Sequence, residues 1–155
     1  MILDICIETG LRISDVLNIK REQIAKTMNV YEAKTKKYKI VELSDELLQR
    51  LPKGFAFGSS KFAFSSTRKP FAHINRSTYY RHLKNAATGL KIACSAHSAR
   101  KLYARNVYNR NFDIYEVQKA LNHKYVSTTA AYLDIDLAKL IYDALQHQHA
   151  DRAKT

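Results

Sequence analysis

The run from His97 to Tyr132, HSARKLYARNVYNRNFDIYEVQKALNHKYVSTTAAY, decides how the chain is read. It opens on His97-Ser98-Ala99-Arg100, an imidazole and a guanidinium at i and i+3. That spacing puts both on one helix face. Such a pair presents fixed donors that suit a phosphate or a carboxylate. Leu121-Asn122-His123 brings a second imidazole, and Tyr132-Leu133 brings an aromatic hydroxyl that can act as a nucleophile. Ser95 is placed to cap the helix bearing His97 and Arg100. Asp113 and Glu116 form a capping-box pattern for the next helix, with Ile114, Val117 and Leu121 as its buried seam. Ser127 is expected to start a short helix that carries Tyr132.

Working outward toward the N-terminus, residues 2–9 read as a short helix with Leu3, Cys6 and Ile7 on one stripe, ended by Gly10. Ile13, Val16 and Leu17 then recur at i, i+3 and i+4, so a second helix begins near Ile13 with Arg12 at its mouth. An arginine there projects beside backbone N–H groups that attract anions, although a merely solvated arginine has the same spacing. Residues 27–43 change period. Met28 and Val30, then Tyr38, Ile40 and Leu43, flank the polar Lys34-Thr35-Lys36-Lys37 and predict a β-hairpin with lysines at its tip. Such a lysine can reach a DNA groove or a scissile phosphate, while most lysine-rich turns are simply solvated. Spacing alone leaves Lys34, Lys36, Lys37 and Lys39 open.

Ser44-Asp45-Glu46 reads as a helix start, with Leu47, Leu48 and Leu51 inward and Pro52-Lys53-Gly54 as its stop. Phe62-Ala63-Phe64 reads as a strand or a buried loop. Asn75 caps a further helix with Tyr79, Leu83, Ala86 and Ala87 inward. Its outward face carries Arg76, Arg81, His82 and Lys84, a stripe suited to the phosphate backbone. The last helix has Leu137, Leu140, Ile141, Ala144 and Leu145 on one apolar stripe, which packs on its own core or docks on another subunit.

The 155 residues suit one domain. The formal net charge is +12, which favours a polyanionic partner, nucleic acid before membrane. The two cysteines, Cys6 and Cys94, stand in unlike settings without a CxxC pair, so a reducing compartment fits. There is no basic-then-apolar leader and no apolar run of membrane-spanning length. The six histidines lack HExxH spacing or a histidine–carboxylate cluster, so no metal site is expected.

Five separated elements now stand together: Thr9-Gly10-Leu11-Arg12, a hairpin lysine, His97-x-x-Arg100, Leu121-Asn122-His123 and Tyr132-Leu133. In order and spacing the chain resembles, over nearly its whole length, the catalytic domain of the tyrosine recombinases, the phage integrase family. The resemblance implies an α+β fold, mainly helical with a small antiparallel β-sheet. It implies site-specific DNA recombination by strand cleavage and rejoining through a 3′-phosphotyrosine. Arg12 and Arg100 match the two catalytic arginines, His97 and His123 the two histidines, and Tyr132 the nucleophile. Lys34 best matches the hairpin lysine, with Lys36 as the fallback. Tyr125, two residues after His123, is the rival nucleophile, expected instead to pack or to contact DNA. Lys36, Lys37, Arg76, Arg81 and Lys84 are the expected DNA-backbone contacts.

The expected partners are double-stranded DNA and further copies of the chain, a tetramer on DNA or a monomer as an isolated domain, with no membrane and no cofactor. The expected location is the cytoplasm, on the bacterial nucleoid. Two departures from the family pattern stand out. Asn122 replaces the usual glycine before the later histidine, and Asn tolerates the same left-handed backbone. The family's N-terminal DNA-clamp domain and the first one or two helices of its catalytic domain have no counterpart, so residues 1–150 are expected to be a catalytic domain lacking them, with 151–155 a frayed tail. That keeps two alternatives in view: a DNA-binding remnant without its own strand transfer, and a type IB topoisomerase-like activity.

Overall fold

The computed structural model describes residues 1–51, 61–69, 71–89, 94–136 and 138. The Pro52-Lys53-Gly54 stop, the apolar stripe from Leu137 to Leu145 and the tail 151–155 lie outside them. The chain forms two compact units, residues 1–103 and residues 104 onward.

The first unit begins with α1 (Ile2–Thr9). Gly10 closes α1 in the left-handed region (φ 66°) and donates its N–H to the Cys6 carbonyl. The Thr9 hydroxyl bonds back to the Ile5 carbonyl at 2.6 Å and accepts the Leu11 N–H at 3.2 Å. This turn delivers Arg12, in extended conformation, to the mouth of α2 (Ile13–Leu17). A single 3₁₀ turn, Arg21–Gln23, leads into the hairpin of β1 (Thr27–Glu32) and β2 (Lys37–Glu42). The strands pair antiparallel from Thr27↔Glu42 to Glu32↔Lys37, so residues 33–36 form the turn. Lys36 takes a positive φ there, and its N–H bonds to the Glu32 carbonyl.

The pleat buries Met28, Val30 and Glu32 from β1. Across the ladder Val41 is buried and Lys39 half-buried, while Tyr38 and Ile40 remain 70% and 71% exposed. The hairpin is therefore where the sequence put it, but Tyr38 and Ile40 occupy its outer face. With a side-chain period of two, Val41 inward forces its neighbours outward.

α3 (Asp45–Arg50) is capped as expected, the Leu47 N–H donating to the Ser44 hydroxyl at 3.1 Å. Glu8 in turn accepts from the Ser44 N–H and hydroxyl. Phe62–Phe64 is a loop that buries Ala63 and Phe64, leaves Phe62 half-buried and is tied down by short bridges, Lys20 to Phe62 and Ser65 to His73. Asn75 caps α4 (Arg76–Gly89) through the Thr78 N–H at 2.7 Å. Tyr79 and Ala87 of α4 are buried, but Ala86 is exposed, because the buried stripe is narrower than the apolar pattern. Around Ile5, Leu11, Leu17, Ile19, Leu43 and Leu47 these elements share one apolar core.

α5 (Ala96–Asn111) starts on the Ser95 cap, which accepts the Ser98 N–H at 3.2 Å. In the second unit Asp113 caps α6 (Ile114–Ala120), accepting from the Tyr115 N–H. The predicted capping box does not close: Glu116 instead accepts from the Asn111 amide at 2.8 Å. Ile114, Val117 and Leu121 are buried as the seam. Asn122 takes φ 52°, the left-handed turn expected of it. α7 (Val126–Leu133) starts one residue before Ser127, with Tyr125 at the N-cap and no side-chain cap.

Candidate active site

In the first unit three elements bring their charges to one place. Glu32 ends β1 on its buried face, and its side chain is 1% exposed. Arg12, from the mouth of α2, donates from Nη1 to Glu32 Oε1 at 2.8 Å. Arg100, on α5, has Nη1 3.8 Å from the same oxygen and also donates to the Gly10 carbonyl. The Arg12 side chain is 20% exposed and that of Arg100 5%. The Thr35 hydroxyl, in the hairpin turn, donates to Glu32 Oε2 at 3.3 Å.

Lys39 joins this group from β2. Its ammonium donates to the Thr9 carbonyl at 2.8 Å and lies 5.1 Å from the Tyr103 ring centroid. Burial first, then the Arg100 and Arg12 charges, push its pKa down to about 8, against the opposing pull of Glu32. Two consecutive carbonyls, Thr9 and Gly10, thus accept from Lys39 and Arg100. The Thr-Gly-Leu-Arg turn is held by the cations it helps to assemble. Behind Arg12, Asp15 accepts the Ala33 N–H at 3.2 Å, and burial raises its pKa.

Other predicted residues of this unit lie differently. His97 is exposed on the first turn of α5 while Arg100, three residues on, is buried. The pair shares a helix but not an environment. Lys34 and Lys36 are exposed on the hairpin turn, and Lys37 is exposed at the start of β2. Arg76, Arg81, His82 and Lys84 are exposed on α4, as expected, with Arg76 over the Tyr80 ring.

The second unit holds the other two predicted groups together. His123 and Tyr132 meet edge to face, with ring centroids 5.5 Å apart. His123 Nδ1 lies 3.0 Å from the hydroxyl of buried Thr129, a contact that orients the ring. The Tyr132 side chain is half-buried and its hydroxyl oxygen buried. Tyr125 is exposed, beneath the Lys124 ammonium.

Glu32 and Thr129 belong to none of the sequence motifs, and Lys39 is one of four lysines that spacing leaves open. Glu32 had a signal: it continues the inward series Met28, Val30 with a charge at a core position. Lys39 had the same signal relative to Val41. Thr129 had none.

A family model described as the phage integrase family matches residues 1–139. The chain belongs to the phage integrase family. It is 32% identical over 136 residues to the probable integrase/recombinase YoeC of Bacillus subtilis, covering 84% of this chain and 74% of that one. Three further curated tyrosine recombinases match along only 42%, 46% and 50% of their own lengths, so the chain spans about half of most such relatives. Among solved structures, the XerA recombinase superposes with a TM-score of 0.68 at 24% identity, over 93% of this chain and 56% of that one. The XerH recombinase bound to its difH substrate gives 0.66 at 19%, over 92% and 45%. The fold is that of the tyrosine recombinase catalytic domain, mainly helical with a two-stranded antiparallel sheet among the described residues.

Proposed function

We propose that this integrase-family chain carries out site-specific DNA recombination, cleaving and rejoining strands through a 3′-phosphotyrosine. One observation carries the reading: two guanidiniums from distant parts of the sequence converge, largely buried, on one carboxylate. Displacement at a phosphodiester builds negative charge on the non-bridging oxygens, and catalysis is mostly charge stabilisation and positioning. Arg12 and Arg100 supply permanent charge and planar donor forks for those oxygens. His123 adds a further donor. The Tyr132 oxygen attacks phosphorus and the 5′ oxygen leaves. Lys34, carried on the exposed hairpin turn, protonates it, and His97 serves as acid or base. The phosphotyrosine keeps the energy of the broken bond. A 5′ hydroxyl from another strand then reverses the step, which exchanges strands without a nucleotide cofactor.

Lys36, Lys37, Arg76, Arg81 and Lys84 are exposed and basic, and in this reading they hold the DNA backbone. Exchange between two duplexes needs four cleavages, so the working form is a tetramer on DNA. The place of action is the bacterial nucleoid in the cytoplasm. Among the described residues no helix is long and apolar enough to cross a membrane.

The test is incubation with a nicked suicide duplex bearing the chain's target site. A covalent protein–DNA adduct is expected for wild type and none for Tyr132→Phe. An adduct that persists in Tyr132→Phe overturns the assignment of the nucleophile. Salt-sensitive binding with no adduct in wild type overturns strand transfer.

A further inference from the structure

We propose that Glu32 is a positioning residue of this site: one buried carboxylate that fixes Arg12, Arg100 and the lysine-bearing turn before any phosphate arrives. The inference rests on the strand-transfer reading and adds a residue to it.

The three contacts come from three parts of the chain. Arg12 opens α2, Arg100 lies in α5, and Thr35 sits in the turn beside Lys34. Oε1 serves the two guanidiniums and Oε2 the turn, so a rotation of the carboxylate disturbs both sides at once. Guanidiniums with long side chains lose much rotamer freedom when fixed. Placing that loss in the folded protein rather than in the complex favours the transition state.

The position of the carboxylate argues against a gate that phosphate must expel. Glu32 is almost wholly buried, whereas Arg12 keeps an exposed edge. The acid therefore lies on the inner side of Arg12, and the outer side faces the substrate. Two guanidiniums and the Lys39 ammonium outnumber the Glu32 and Asp15 carboxylates, so attraction for a phosphodiester survives. The register itself makes the same point. Val or Ile at position 32 would continue the buried series of Met28 and Val30 without burying a charge, which is costly even when paired.

Two readouts test the proposal, one of them independent of activity. In the DNA-free protein the guanidinium N–H signals of Arg12 and Arg100 in ¹⁵N NMR spectra should be protected. Glu32→Gln, similar in volume but uncharged, should speed their exchange at least tenfold. On the suicide duplex the same variant should lower the single-turnover rate of adduct formation at least tenfold, with the DNA dissociation constant changed less than threefold. Glu32→Asp, which keeps the charge, should recover part of the rate. Unchanged exchange and rate overturn the proposal. So does tighter DNA binding at an undiminished rate, which would make Glu32 a gate. If Glu32→Gln does not fold, the same readouts on Glu32→Asp decide, with a smaller loss expected and no change overturning. A wild type that forms no adduct, with arginine signals that still answer to Glu32→Gln, overturns strand transfer and supports the anchor.

Discussion

Lys39 lies two positions along β2 from Lys37, yet the two ammoniums live in different chemistry. Lys37 is solvated, while Lys39 is turned inward toward Arg12 and Arg100 and its pKa falls to about 8. Between pH 8 and its ordinary value of 10.5 the unfolded chain keeps a proton that the folded chain has shed. Stability from this group therefore rises with pH through that window. Cys6 acts in the opposite sense. Burial pushes its thiol from 9.0 to about 12, so above pH 9 the folded chain keeps a proton that the unfolded chain loses, and stability falls. Cys6 already opposes the lysine weakly between pH 8 and 9, and comparison with Lys39→Met, which keeps Cys6, isolates the lysine. Urea unfolding of wild type should gain on the order of 1 kcal/mol across that unit relative to Lys39→Met. Equal slopes in the two proteins would show that the ammonium is solvated.

At the scale of elements, the turn from α1 into α2 is tightly constrained. Gly10 has φ 66°, and a Cβ at that position would run into the Tyr103 ring. Gly10→Ala should cost about 1–2 kcal/mol for the left-handed backbone alone, and more for moving the ring. Chemical denaturation measures the sum. Gly10→Ala/Tyr103→Leu should recover the steric part and leave the backbone part. A Gly10→Ala protein as stable as wild type would mean that the turn adapts freely, and that Arg12 is not fixed through it.

This turn was readable beforehand, because Thr-Gly followed by an apolar i, i+3, i+4 series leaves few alternatives. So were the caps at Ser44, Asn75 and Ser95, where a side-chain oxygen meets an otherwise orphaned N–H. What escaped was decided by partners distant in sequence. Glu116 fits a capping box, but the Asn111 amide claims its carboxylate. His97 and Arg100 fit one face, but the helix turns only the arginine into the core. Tyr38 and Ile40 fit a buried strand, but the ladder gives the inner face to Lys39 and Val41. Local pattern names the element; which face is buried depends on what packs against it.

For the whole molecule, the net charge of +12 divides into cations that are matched internally and cations that are not. Arg12 and Arg100 already share the Glu32 carboxylate, so removing either should cost rate. Arg100→Ala should lose on the order of 3 kcal/mol of transition-state stabilisation, read as the single-turnover cleavage rate. Arg76, Arg81 and Lys84 are exposed along one helix, and exposed cations act by displacing counterions from DNA. Each phosphate contact contributes about 0.9 to the slope of log affinity against log salt. The triple variant Arg76→Gln/Arg81→Gln/Lys84→Gln should therefore flatten that slope by about 2 to 3, with unfolding stability nearly unchanged because no buried group is touched. The Arg76 contact with the half-buried Tyr80 ring does not alter this, since the Arg76 side chain itself is exposed and can still reach a phosphate. A slope that does not move would take α4 off the DNA and leave the hairpin lysines to account for the salt dependence.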